Sequence, residues 1–221
     1  MKLSPETLAI LKNFSTINQS IHVKKGDTLR TIKVAKNVLA EAKIKETFET
    51  EFAIYNLNQF LNSFNLLDDP DLDFSHESYV LLKEGKKKIK YFYADPSIIV
   101  SPPDKKLSLP SQDVCFVLEQ SYLEKIAKAK QIYQLDDLSA VGDGKEIQLI
   151  VQDKKNDTSN EYSIVVGETS EEFCVNFKIE NLQFYPGSYD VVISKQNISK
   201  FSHKGIDLQY WVAMEPDSTF N

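Results

Sequence analysis

Two stretches of the chain repeat one arrangement of apolar and polar positions. Phe52-Ala-Ile-Tyr-Asn-Leu-Asn-Gln-Phe60 and Phe177-Lys-Ile-Glu-Asn-Leu-Gln-Phe184 both set Phe and Ile two apart, with Asn and Leu at offsets four and five. Apolar residues at i and i+2 mark the end of a strand with one buried face. The following Asn suits a helix N-cap, because its side-chain oxygen accepts from an otherwise unpaired N–H. Phe116-Val-Leu-Glu-Gln120, running into Ser121, is a looser third copy, and Met1-Lys-Leu3 running into Ser4-Pro5 a fourth. Phe52, Phe116 and Phe177 fall 64 and 61 residues apart, so the pattern predicts four strand-to-helix units with helix starts at Ser4, Asn56, Ser121 and Asn181.

Along the chain, residues 4–17 read as a helix capped by Ser4, with Pro5 at the first position, where a missing N–H costs nothing. Ile10, Leu11, Phe14 and Ile17 share one face and Lys12 lies nearly opposite. From Ile21 to Ile44, alternation and the Gly26-Asp27 turn predict an antiparallel meander. A strand at 50–55 precedes a helix over 56–67 with Leu57, Phe60, Leu61 and Phe64 inward and a lysine-free polar face of Asn58, Asn62 and Asn65. Tyr79–Leu82 and Ile89–Tyr93 form a hairpin around Glu84-Gly85. A strand at 113–118 leads to a helix near 121–133, with Lys125 and Lys128 outward beside Glu124. Strands at 146–152 and 161–166 flank a polar turn over 153–160. The fourth unit, 173–185, stops at Pro186-Gly187, and strands at 189–193 and 208–214 close the chain.

Residues 95–111 hold four of the eight prolines, which favours an extended strap without interior ladder bonds. The expected organisation is a domain over 1–100, a connector over 101–111 and a similar domain over 112–221.

Charge narrows the function classes. The chain carries 26 basic and 32 acidic residues, net −6, which argues against a generic nucleic-acid coat or a membrane-surface protein. Arg30 is the only arginine, and base reading favours the arginine fork, so sequence-specific DNA recognition is not expected. The first 43 residues are nonetheless locally positive, with eight basic residues against three acidic. Cys115 and Cys174 sit inside expected strands, which speaks against a disulfide framework. No charged-then-apolar leader opens the chain and no run of about 18 apolar residues occurs, so a soluble intracellular protein is expected.

The search for catalytic chemistry finds no glycine-rich phosphate loop, no zinc spacing among His22, His76 and His203, and no Ser–His or Cys–His pairing in local context. The acidic run Asp68-Asp-Pro-Asp-Leu-Asp73 is the one candidate for a divalent cation. Read as a calcium loop it has Phe74 where glycine belongs and Val80 where the bidentate Glu belongs, so a solvated acidic turn is the better reading. No cofactor or metal is expected. Lysines opposite the core are ordinary on any soluble helix; Lys12, Lys125 and Lys128 gain weight from standing on the repeated units.

Several stretches carry a family resemblance: Met1-Lys-Leu-Ser4, Leu11-Lys-Asn-Phe-Ser-Thr-Ile-Asn18, Ala94-Asp-Pro-Ser97, Pro186-Gly187 before Tyr189, and Val212-Ala-Met-Glu-Pro-Asp-Ser-Thr219. In order and spacing the chain resembles the DNA polymerase sliding clamps of T-even-type bacteriophages, from first residue to last. The resemblance implies an α+β DNA-clamp fold: a homotrimeric ring of two similar domains per subunit, outer antiparallel sheets and four inner helices per subunit. It implies no enzymatic activity, sequence-independent enclosure of double-stranded DNA, and tethering of the phage DNA polymerase. An ATP-dependent clamp loader, late-transcription factors and the cytoplasm of the infected bacterial host complete the implied setting. On this reading Lys12, Lys125 and Lys128 face DNA, and Ile98, Ile99, Val100 and Trp211 lie near a pocket for partner peptides; ordinary packing of the strap is the alternative for Ile98–Val100. The competing readings are a monomeric β-rich scaffold and, third, a Mg²⁺ enzyme built on Asp69, Asp71 and Asp73.

Overall fold

The computed structural model describes every residue except Lys106, Asp157 and Asn221, so those positions of the expected connector and polar turn lie outside the described residues. The chain divides into two units, Met1–Asp104 and Lys105–Asn221.

The first unit runs α1 (Pro5–Ile17), β1 (Ile21–Val23), β2 (Gly26–Ile32), β3 (Val38–Phe48), β4 (Phe52–Ile54), α2 (Leu57–Ser63), β5 (Asp71–Asp73), β6 (Tyr79–Glu84) and β7 (Lys87–Phe92). Helix α1 starts where sequence places it: Ser4 Oγ accepts from the Thr7 N–H at 3.2 Å. A second acceptor comes from β3, where Glu46 takes the Ser4 N–H and, at 2.5 Å, the Thr7 hydroxyl. Ile10, Leu11 and Phe14 are buried, and the helix packs on β2, β3 and α2. Strands β2 and β3 pair antiparallel, Leu29 opposite Ala42.

The expected meander is corrected at its first strand, because β1 pairs with β4. That register sets Ile21 opposite Ile54 and Val23 opposite Phe52, which gathers four buried apolar side chains; Gly26, at φ +117°, turns the chain away from β1. Asn56 caps α2 by accepting from the Gln59 N–H at 2.9 Å, and the helix tightens into a 3₁₀ turn over Phe64–Leu66. Residues 1–3 form no strand; Met1 instead exchanges two backbone bonds of 2.7 Å with Leu72 of β5.

The second unit runs β8 (Val114–Leu118), α3 (Gln120–Tyr133), β9 (Asp137–Asp143), β10 (Glu146–Gln152), β11 (Tyr162–Glu168), β12 (Glu172–Lys178), β13 (Tyr189–Ser194), β14 (Ile198–His203), β15 (Leu208–Ala213) and β16 (Thr219–Phe220). Within it, strands lie in the orders β8-β13-β14-β15 and β11-β10-β9-β12-β16, with antiparallel neighbours throughout. Its core gathers Phe184, Tyr189, Phe201 and Tyr210, with Tyr210 Oη accepting from the Tyr185 N–H at 3.0 Å. Burial pushes both the Tyr189 and Tyr210 phenols well above their usual range.

Two helix expectations are corrected here. Helix α3 begins at Gln120 after Glu119, which makes no side-chain cap; Ser188 supplies it, its Oγ accepting from the Gln120 N–H at 3.1 Å. The fourth helix does not form. Asn181 ends a 3₁₀ turn over Ile179–Asn181, and only four residues separate it from Pro186. Proline disfavours helical backbone at the residue before it, and one turn does not repay helix nucleation. The chain therefore contains three α-helices among the described residues.

Strand β9 escaped sequence reading because Asp137 and Ser139 look like turn residues. Both are buried and satisfied: Ser139 Oγ donates to Asn176 Oδ1 at 2.6 Å and accepts from Gln152 at 2.8 Å, while Asp137 pairs with Lys178. Asn176 also holds the chain end, accepting from the Glu215 N–H and donating to Asp217.

At Gly187 the backbone has φ +148°, and a Cβ would lie 2.7 Å from Cδ2 of His203. Gly187→Ala is expected to cost about 2 kcal/mol or more in urea unfolding, combining backbone strain with a forced move of the His203 ring. Glu46 tests the α1 cap. Burial works to raise its pKa, but the hydrogen bonds from Thr7 and Ser4 win and hold it below the ordinary 4.5. A depressed carboxyl stabilises the fold above the unfolded-state pKa and loses that contribution as pH falls through the folded value. Glu46→Gln should therefore cost about 1 kcal/mol near pH 7, with the gap to wild type closing below about pH 4 in parallel denaturation curves.

Candidate nucleic-acid interface

Helix α3 buries Ile126 and Ala129 against β10 and β11. At 100° per residue, Ser121, Lys125, Lys128 and Ile132 then fall on one strip to the side of that buried face, and all four are exposed. Neither lysine makes an ion pair with a described residue, whereas Lys130, off that strip, pairs with Asp136 at 3.4 Å. Ile132 is 71% exposed, an apolar position in the lysine strip that sequence reasoning passed over. In the first unit Lys12 stands exposed on α1, also without an ion pair among the described residues. Beside it, α2 turns out Asn58 and Asn62 and the following 3₁₀ turn Asn65, and Asn58 Oδ1 accepts from Ser15 on α1 at 2.8 Å. Lys125 and Lys128 thus share one helix, and Lys12 belongs to the other unit.

The four residues expected near a partner pocket differ in availability. Ile98 is 61% exposed at the end of a 3₁₀ turn, Ile99 is 7% exposed, and Val100 is half-buried with its carbonyl accepting from Asn18 at 3.3 Å. Trp211, on β15 in the second unit, is 5% exposed, with Lys200 Nζ 5.6 Å from its ring centroid. Ile98 alone offers substantial apolar surface. The strap after it is tied to β1 and β2 by contacts invisible in local sequence. His22 lies 3.3 Å from Ser101 Oγ and 2.6 Å from Glu51, Arg30 donates to the Pro103 carbonyl at 2.7 Å, and Lys24 pairs with Asp104. The cap and turn chemistry of these segments carries no signal for such contacts, since their partners lie 29 to 80 residues apart.

The acidic run at 68–73 is committed to protein partners. Asp69 pairs with Lys2, and Asp73 accepts from the Ser75 hydroxyl at 2.6 Å and from Lys83 at 2.9 Å. Those bonds, Ser75 first and Lys83 second, hold the Asp73 carboxyl far below its usual range. Glu84 accepts from the Asp68 and Asp69 N–H groups. Among the described residues no three His, Cys, Asp or Glu side chains converge as metal ligands. No helix of the described residues is long and apolar enough to cross a membrane.

Comparison with known proteins bears on what such surfaces serve. Residues 3–101 match the family model for DNA polymerase processivity factors. The sliding clamp of Vibrio phage KVP40 is 32% identical over 97% of this chain and 99% of its own length. The chain belongs to the phage sliding-clamp family. The sliding clamp of Enterobacteria phage T4 is likewise 32% identical, over 99% of both proteins. A sliding-clamp fold is also visible at far greater distance: the proliferating cellular nuclear antigen of Entamoeba histolytica superposes with a TM-score of 0.70 at 15% identity, over 94% of each chain. This family member has a processivity factor's architecture, antiparallel sheets with few helices, and the exposed lysines belong to two of those helices.

Because Lys12, Lys125 and Lys128 bear on no described partner, the triple alanine variant should unfold within about 0.5 kcal/mol of wild type. Lys178→Ala, which strands the buried Asp137, should lower stability by about 2 kcal/mol or more in the same assay.

Proposed function

We propose that this chain closes as a homotrimeric ring around double-stranded DNA and tethers a phage DNA polymerase for processive synthesis. The observation that carries the reading is likeness to phage sliding clamps over the whole chain. The uncommitted lysines on α1 and α3 give it a physical basis. A closed ring leaves DNA only by sliding off an end or by opening, so its local contacts need not be tight. Flexible lysines attract phosphate without reading bases, and an attraction that is the same at every register permits sliding. The protein acts by holding rather than by catalysis.

In this reading 1–100 and 112–221 are the two clamp domains of each subunit and 101–111 connects them. Lys12, Lys125 and Lys128 face the DNA, and Ile98, Ile99, Val100 and Trp211 border the seat of partner peptides. An ATP-dependent loader opens the ring, late-transcription factors share it, and the setting is the cytoplasm of the infected host. Ring closure requires two different, complementary edges on each copy. Two end strands suit each other: β7 carries Lys87, Lys88 and Lys90 with exposed Phe92, and β11 is bounded by Glu161 and Glu168 with exposed Val165. Head-to-tail addition of β7 to β11 of the next copy continues the ladder, joins opposite charges and covers both apolar side chains.

Sedimentation equilibrium without DNA tests the assembly. Three copies of 25.2 kDa give a species of about 76 kDa that dissociates on dilution, while a 25.2 kDa monomer at all concentrations overturns the ring. Lys12→Glu with Lys125→Glu should leave that assembly intact and cut processive synthesis on primed circular DNA severalfold. Unchanged processivity would remove these lysines from the DNA face.

A further inference from the structure

His203, the last residue of β14, is hydrogen-bonded to backbone through both ring nitrogens. Nδ1 takes the N–H groups of Gly205 at 2.9 Å and Ile206 at 3.0 Å, closing the turn between β14 and β15. Nε2 lies 3.1 Å from the Pro186 carbonyl. Backbone N–H groups only donate and a carbonyl only accepts, so these contacts assign one form, the neutral ring with its hydrogen on Nε2. A second proton would sit on Nδ1 and point at two N–H hydrogens, which removes both bonds at once. The same ring reaches α3. Gly187 leaves it room beside Pro186, and the next residue, Ser188, accepts from the Lys204 N–H at 2.9 Å through its carbonyl and from the Gln120 N–H through its hydroxyl.

We propose that His203 is a proton-released latch on the start of α3. Neutral, it holds the turns at 186–188 and 203–206 and with them the Ser188 cap; protonated, it lets them loosen. No carboxylate stands ready to hold the charged form, since His203 makes no ion pair among the described residues. Of the acidic groups around it, Glu119 accepts from the Ser188 hydroxyl at 3.4 Å, Asp190 pairs with Lys204 at 3.2 Å, and Asp207 is exposed beyond the turn. Two phenols face the imidazole, Tyr185 and Tyr189, with ring centroids 5.8 and 5.1 Å away, and the Tyr189 hydroxyl donates to the Tyr185 carbonyl. The bonds of the neutral form stabilise in full at higher pH and are lost as pH falls and the imidazole takes up its proton. The latch needs only the second unit's hydrogen bonds, so it stands or falls separately from assembly around DNA.

Nitrogen NMR of the imidazole and the thermal midpoint, both followed on the full chain between about pH 8 and about pH 5, test the latch. His203→Asn is the control: its Oδ1 can accept from the same two N–H groups but takes up no proton, and His22 and His76 remain in both proteins. Three results are expected. The ring carries its hydrogen on Nε2 at the upper pH, and the Gln120 amide signal moves with the same midpoint as the ring. The wild-type thermal midpoint drops about 2 °C or more further than the variant's over the range. A ring with its hydrogen on Nδ1 overturns the assignment, and parallel midpoint curves overturn the latch. A Gln120 signal indifferent to the ring's titration overturns its hold on α3. Both NMR readouts use the wild-type protein, so they decide the matter even where His203→Asn folds poorly.

Discussion

Each long helix of this protein has one apolar face, and an antiparallel sheet takes it. From that single constraint the placement of the cations follows. Once Ile10, Leu11 and Phe14 are fixed inward on α1, and Ile126 and Ala129 on α3, residues off those faces must meet solvent. Lys12, Lys125 and Lys128 occupy those positions. Most other lysines with acidic neighbours form exposed pairs, such as Lys2 with Asp69 and Lys24 with Asp104, whose net contribution to stability is small. An acidic protein thus presents local positive charge where the packing of its helices puts it, without carrying a basic surface throughout.

Local signals proved readable wherever the partner lay within a few residues. Ser4 and Asn56 cap their helices as their side-chain chemistry dictates, and the β6–β7 hairpin turns at Glu84-Gly85. The lysine strip on α3 followed from helical periodicity alone. What stayed hidden depended on distant partners. Strand β1 leaves its neighbour in sequence to join β4, and β9 hides polar residues that look like a turn until Asn176, Gln152 and Lys178 arrive to satisfy them. The tethers that hold residues 100–104 on the first unit are of the same kind. Repetition misled at the fourth unit, where the motif recurs but Pro186 follows too soon for a helix to nucleate.

Polar networks and apolar packing divide the labour differently in the two units. The first relies on stacked and edge-on aromatic rings, Phe48, Phe52, Phe74 and Tyr93, and burial, with Asp73 a lesser influence, pushes the Tyr93 phenol up to about 12. The second secures its chain end through Asn176, whose backbone and side chain engage Glu215, Asp217 and Ser218 together. A buried amide with all its capacity used imposes one register on the segment it holds, because any slip leaves a polar group unpaired in the interior.

The cap of α3 is borrowed across the chain. Glu119 makes no side-chain cap, and the hydroxyl that serves the Gln120 N–H belongs to Ser188, 68 residues later. During synthesis the whole of α3 and five further elements emerge before that hydroxyl exists. The helix then waits, frayed at its first turn, until β13 pairs with β8 and brings Ser188 into place. Ordering of α3 is in this way coupled to a non-local strand pairing of the kind that slows folding. The lysine strip it carries acquires its final position only after the second unit has been made as far as β13.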